Sequence, residues 1–75
     1  MDMDEAVRTL IGTRLEIEED KITRETTFDE LGADSLDIIE VVAEIENEYD
    51  IEISDEALGR IRTVGDIENL IDESL

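Results

Sequence analysis

The chain has 75 residues, and its 24 acidic side chains outnumber its six basic ones, which gives a formal net charge of −18 at pH 7. This length predicts a single domain over residues 1–75, close to the smallest size at which one core suffices. The sequence contains no Cys and no His, which excludes disulfides, zinc–thiolate sites and the commonest general base. Apolar residues make up 40% of the chain and are nearly all aliphatic, so we expect an aliphatic core.

The negative charge limits the possible partners. Such a field repels nucleic acids and anionic membrane surfaces, and it attracts basic protein surfaces. The acidity is also compatible with a simple role in solubility or with a high-salt environment.

No apolar run approaches the ~20 residues of a spanning helix, and Met1 to Glu5 lack the pattern of a signal sequence. We therefore expect a cytoplasmic protein that binds no nucleic acid and does not insert into membranes.

The spacing of apolar residues predicts an all-α fold, a four-helix bundle with three longer helices, one short helix and a long first loop. The first helix is predicted over 4–15. Its interior Gly12 costs about 1 kcal/mol relative to Ala, and either ends the helix early or lets a neighbour approach closely. The loop is predicted over 16–34, with one short turn at 28–31. The apolar residues expected to anchor this loop are Ile17, Ile22, Phe28 and Leu31.

The strongest helical pattern lies at 36–50, where one apolar face spans about 100° of arc. The residues predicted to form that face are Ile38, Val41, Val42, Ile45 and Tyr49, with Ile39 at its edge. A short third helix is predicted over 55–61 after the capping residue Ser54. A fourth begins near Thr63 and continues to the end of the chain.

Charge and exposed apolar residues coincide on the second helix. The interval 25–59 holds thirteen acidic residues and no basic one, so its acids are predicted to be uncompensated. The polar face of the helix also carries Leu36 and Ala43, two turns apart. An apolar pair flanked by carboxylates is better explained as a docking strip for a basic partner than as an accident of the surface.

Ser35 stands at the start of this helix and has two interpretations. A nucleophilic serine needs a base in hydrogen-bond reach, and without His only Lys21 could serve, so we predict no catalytic residue and no enzyme. Local chemistry favours a helix cap, a role that Asp34 could equally fill. A serine at a helix start can also expose its hydroxyl to a modifying enzyme, and the helix dipole favours an anion there.

A calcium loop is a further alternative. Counted from Asp29, Asp37 and Glu40 occupy positions 9 and 12 of an EF-hand loop. Positions 3 and 5 carry apolar residues, and Asp34 stands at position 6, where the turn requires Gly. We therefore predict no dedicated metal site.

The run from Leu31 to Asp37, L-G-A-D-S-L-D, followed by I-I-E-V-V, resembles the signature of acyl carrier proteins. The similarity extends through 46–56 and more loosely over the chain. It implies a carrier in which Ser35 receives 4′-phosphopantetheine from coenzyme A through a phosphopantetheinyl transferase. The terminal thiol of that arm would then hold acyl groups as thioesters, which supplies thiol chemistry to a protein without Cys.

The resemblance also implies how partners and acyl chains are bound. The second helix would dock on basic surfaces of fatty acid synthesis enzymes, and a small carrier that visits many enzymes is expected to be a monomer. The docking residues implied by position are Asp34, Leu36, Asp37, Glu40, Ala43, Glu44 and Glu46. The residues implied to line the acyl chain are Val42, Ile45, Leu58 and Ile61. The motif D-S-L-D favours fatty acid synthesis; a carrier for a polyketide or other specialised acyl pathway and an unmodified acidic interaction module are the alternatives.

Overall fold

A polar side chain precedes each helix and caps it. The structure, a computed structural model, describes residues 2–75. Its α-helices are α1 (Met3–Leu15), α2 (Ser35–Tyr49), α3 (Asp55–Leu58) and α4 (Val64–Ser74). In each case the preceding side chain accepts a hydrogen bond from a backbone N–H of the first turn. The capping residues are Asp2, Asp34, Ser54 and Thr63. The helix starts therefore follow from local side-chain chemistry.

Helix packing confirms the predicted all-α class. Residues 2–75 contain no strand, and the β-type pairing among them is a single bridge between Thr27 and Thr63. Helix α1 packs against both α2 and α4. The buried apolar residues are Val7, Ile11, Ile22, Phe28, Ala33, Val41, Val42, Ile45, Ile61, Val64, Ile67 and Ile71. No helix within the described range is long and apolar enough to cross a membrane.

The predicted helix boundaries agree with the structure to within one residue, except at the end of α3. Helix α2 begins at Ser35, one residue earlier than expected, because Asp34 is its cap. Helix α3 is a single turn of four residues and does not extend to residue 61. The chain leaves the helix at Gly59, and the following segment turns Ile61 into the core, where its exposure is 7%. The helix therefore ends at Leu58, and Ile61 is buried from outside it.

Gly12 lies inside α1 because the chain folds back over it. A Cβ at this position would lie 2.7 Å from the backbone oxygen of Ile17. The backbone N–H groups of Glu16 and Ile17 both donate to the Gly12 carbonyl, the latter at 2.9 Å, and Glu16 takes a left-handed conformation with φ of 58°. Of the two predicted roles of Gly12, close approach of a neighbour is the one that the structure confirms.

The first loop is held by the predicted apolar anchors. Ile22 and Phe28 are buried, whereas Ile17 and Leu31 are half-buried against the core. The predicted turn is present, since the N–H of Leu31 donates to the carbonyls of Thr27 and Phe28. A short 3₁₀ turn at Glu19–Lys21 was not predicted. These contacts give the long loop a defined path to the start of α2.

Candidate functional site

Ser35 is the first residue of α2, and its side chain is exposed. The cap is formed by its neighbours. Oδ1 of Asp34 accepts from the Asp37 N–H at 2.9 Å, and Oδ2 of Asp37 accepts from the Asp34 N–H at 3.2 Å. These reciprocal bonds form a capping box. Capping is therefore done by Asp34, which leaves the Ser35 hydroxyl out of the cap.

The segment before Ser35 fixes the serine outside the core. Gly32 has φ of 73°, a left-handed conformation in which a side chain would be strained. Ala33 is buried, and its N–H donates to the carbonyl of Phe28 at 3.0 Å. Burial of Ala33 anchors the backbone two residues before Ser35, so the serine emerges at the surface on the end of a rigid helix.

A groove of about 300 Å³ opens beside Ser35. The residues that line it with Ser35 are Ile38, Ile39, Asp55, Leu58, Gly59 and Ile61. Two predicted lining residues, Leu58 and Ile61, are therefore present at this groove. Helix α2 forms one side of the groove, and α3 with the segment after it forms the other.

The other two residues predicted to line an acyl chain lie elsewhere. Val42 is buried in the core and does not line the groove beside Ser35. Ile45 is fully buried and faces a separate groove of about 380 Å³ between α1 and α2. Ile38 and Ile39 hold the positions next to the serine instead. The sequence signal for Ile39 was its place at the edge of the apolar arc, and it is 48% exposed.

The predicted docking residues are spread along α2. Asp34, Leu36, Ala43 and Glu44 are exposed, and Leu36 retains 62% of its surface. Asp37, Glu40 and Glu46 are half-buried. Glu46 differs from the rest because its Oε2 accepts from the Ile53 N–H at 2.8 Å, which ties the segment after α2 back onto the helix.

The prediction that the acids of 25–59 are uncompensated is wrong for three of them, because Arg60 pairs with Glu56 at 2.7 Å and Arg14 pairs with two acids of α2. Arg14, in the last turn of α1, donates from Nη1 to Oε2 of Glu40 at 2.6 Å and from Nη2 to Oε1 of Glu44. The hydrogen bond with Glu44 is the main cause that raises the pKa of Arg14. The contacts of Arg14 could not be predicted from the sequence, because its two partners are 26 and 30 residues away along the chain.

The alternative of an EF-hand loop does not match the structure. Six of its twelve positions, 35–40, are already part of α2. Asp37, at position 9, is engaged in the helix cap. Within residues 2–75, no group of three or more His, Cys, Asp or Glu side chains is placed to hold a metal ion.

The site suits a phosphate ester on Ser35. A hydroxyl at a helix N-terminus places an attached anion near the positive end of the helix dipole. The exposed position leaves room for a modifying enzyme, and the apolar groove can cover part of an extended group. The residues present therefore fit a serine-linked phosphopantetheine.

Comparison with known proteins agrees with this geometry. The family model described as the phosphopantetheine attachment site matches residues 5–71. A Mycobacterium tuberculosis protein assigned as an acyl carrier protein superposes with a TM-score of 0.88 at 34% identity, covering 96% of this chain and 97% of that one. An acyl carrier protein from Thermotoga maritima superposes with a TM-score of 0.71 at 31% identity, covering 97% of this chain and 94% of that one.

Proposed function

This chain belongs to the phosphopantetheine attachment family and is an acyl carrier protein, and on that premise we propose that Ser35 is the residue that carries 4′-phosphopantetheine. The family is one of carriers, not enzymes, and its cofactor is covalent and installed by a phosphopantetheinyl transferase. The observation that supports Ser35 is that other side chains form the cap at the start of α2. Asp34 and Asp37 satisfy the helix terminus, so the hydroxyl of Ser35 is available for reaction.

The attachment reaction requires little of this chain beyond presentation of the hydroxyl. Oγ of Ser35 would form the new bond to phosphorus and lose its proton, while the adenosine bisphosphate part of coenzyme A leaves. Helix α2 keeps the oxygen at a fixed place, and its dipole favours the resulting negative charge. When bound, the group supplies a terminal thiol that holds acyl chains as thioesters.

Loading of the protein tests this assignment. We expect incubation with coenzyme A, Mg²⁺ and a promiscuous phosphopantetheinyl transferase to add the mass of one phosphopantetheine, read by intact mass spectrometry. Ser35→Ala should abolish the addition because the acceptor oxygen is lost. Ser54→Ala is the matched control, since it removes a hydroxyl that caps α3, and it should load normally. Addition to the Ser35→Ala variant would refute the assignment.

We further propose that the acyl chain lies along the groove beside Ser35. Leu58 and Ile61 line it from the α3 side, and Ile38 and Ile39 line it from α2. Burial of apolar surface contributes about 25 cal/mol per Å², so an acyl chain would gain stability there. Val42 and Ile45, the other two residues implied as lining, are buried in the core and would be reached only by a chain that enters it.

For the pathway, we propose fatty acid synthesis, with docking of basic enzyme surfaces on Asp34, Leu36 and the acids that follow on α2. The support is the D-S-L-D motif together with the exposed Leu36 among carboxylates. The polyketide alternative shares the same chemistry and differs in partner.

Affinity measurements on the loaded protein test the docking and the pathway together. We expect a β-ketoacyl synthase of fatty acid synthesis to bind more tightly than a polyketide synthase counterpart. Its affinity should fall by about tenfold or more between about 0.05 and 0.3 M salt, because the Debye length shrinks below ~10 Å in this range. An affinity independent of salt would contradict docking on the acids of α2, and tighter binding of the polyketide enzyme would contradict the pathway.

A further inference from the structure

The ion pairs of α2 divide its exposed face into two halves. Asp34, Leu36 and Asp37 lie at the Ser35 end, where the two carboxylates accept the backbone hydrogen bonds of the helix cap. One to two turns later, Glu40 and Glu44 both bind Arg14 of α1. Among residues 2–75, no other basic side chain forms an ion pair with a carboxylate of α2. The cation on this face therefore comes from a different helix.

Arg14 contacts the same two carboxylates, Glu40 and Glu44, that an arginine of a docking protein could contact. Its guanidinium presents separate N–H groups to two carboxylates on successive turns of α2, a fork geometry that a lysine ammonium does not reproduce. The three side chains keep 31%, 44% and 45% of their surface exposed, so solvent and a docking protein can reach the contact. Exposed ion pairs of this kind are weak and exchange readily. Arg14 can therefore be displaced, but displacement has a cost.

We propose that Arg14 is an intramolecular competitor that sets which basic partners can use the second half of the docking face. This inference rests on the proposed function, because it concerns partners of the same helix. A partner whose cations contact only the Ser35 end meets no competition. A partner that places a cation on Glu40 and Glu44 must first displace Arg14, so such partners are disfavoured. Arg14 is thus a specificity-determining residue located outside the face that it controls.

Titration of the ¹⁵N-labelled protein with a tri-arginine peptide tests this proposal at about 0.01 M salt, where the Debye length is about 30 Å. In the unaltered protein, we expect the peptide to perturb the amides of 34–37 more than those of 40–44. In Arg14→Gln, the perturbation should extend to 40–44, and affinity should rise by about threefold, the size expected for release of an exposed ion pair. Arg14→Lys should give an intermediate result because a single ammonium cannot bind both carboxylates equally.

The matched control is Lys21→Gln, which removes one positive charge from the exposed 3₁₀ turn and leaves the Arg14 contacts in place. It should raise affinity less than Arg14→Gln and leave the pattern of perturbed amides unchanged. Equal effects of the two variants, or an unaltered protein that already responds at 40–44 as strongly as Arg14→Gln, would overturn the proposal. Loading of Ser35 is measured on the same samples, so a failure of the carrier function is recognised separately.

Discussion

Raising the pH from about 4.5 to about 7 is expected to lower the free energy of unfolding through a single buried side chain, Glu68. Burial in the core is the largest of the causes that raise its pKa from 4.5 to about 7, and the neighbouring carboxyl of Asp4 adds to the effect. The cation of Arg24, 2.5 Å away, opposes them. Because the folded protein binds this proton more tightly than the unfolded chain, stability is fully present below pH 4.5 and is lost as the pH rises through 7.

The geometry around Glu68 supports this shift. Oε2 of Glu68 and Oδ1 of Asp4 are both buried, and neither receives a hydrogen bond from a donor within residues 2–75. Two carboxyl groups bind each other only when one of them is protonated. Arg8 on α1 donates to the other oxygen of Asp4. Burial raises the pKa of Tyr49 on α2, and nearby carboxylates, Glu68 among them, add to this rise. Protonation of Glu68 would allow its carboxyl to donate to Asp4 and so would link α4 to α1.

Urea unfolding at pH 5, 6, 7 and 8 measures the effect. Each pKa unit corresponds to about 1.4 kcal/mol, so we expect Glu68 to account for a fall of about 2–3 kcal/mol. Glu68→Gln should remove this part of the pH dependence because the amide does not titrate. Glu73→Gln, on the exposed side of the same helix, is the matched control and should retain it. Parallel pH profiles for the unaltered protein and Glu68→Gln would rule out this role.

Gly12→Ala is expected to destabilise the protein by about 1–3 kcal/mol, the usual cost of forcing atoms into a packed site. Ala favours the helix by about 1 kcal/mol over Gly, so helix propensity alone predicts the opposite sign. The added Cβ would lie 2.7 Å from the backbone oxygen of Ile17, which cannot move away without losing the turn that closes α1. Thermal and urea unfolding, followed by circular dichroism, measure the change.

Gly59→Ala is the matched control for this prediction. Its φ of −67° suits an L-residue, and a Cβ there would meet the nearest backbone oxygens at 3.5 and 3.7 Å, which is ordinary contact. The same substitution should therefore be neutral or slightly stabilising at this position. If Gly12→Ala were as stable as Gly59→Ala, the contact between Gly12 and the following loop would not be a constraint on the fold.

The parts of this protein that could be predicted from sequence are those fixed by neighbours along the chain. The helical period of α2, the caps at Ser54 and Thr63 and the turn at 28–31 depend on residues a few positions apart. The position of Ser35 at the start of a helix was likewise predictable. Which of Asp34 and Ser35 forms the cap was left open, because both side chains can accept the same backbone N–H.

The end of α3 shows where local rules stop. The apolar spacing continued to Ile61 and favoured a longer helix. In the structure, Ile61 belongs to the segment that follows α3. Its side chain is buried and forms part of the wall of the groove beside Ser35. On the α2 side this groove is lined by Ile38 and Ile39, whereas Val42 and Ile45, which the resemblance implied as acyl-chain lining, do not line it.

The sequence by itself determined the class of fold and, to within one residue, the start of α2 beside an exposed Ser35, since capping, periodicity and charge density act over short separations. Only the tertiary structure decided that Arg14 reaches Glu40 and Glu44, that Glu68 is buried beside Asp4, and which side chains border the groove. The physical reason is the same in the three cases. Each contact joins side chains of different helices, so it depends on how the helices pack, which no local pattern encodes.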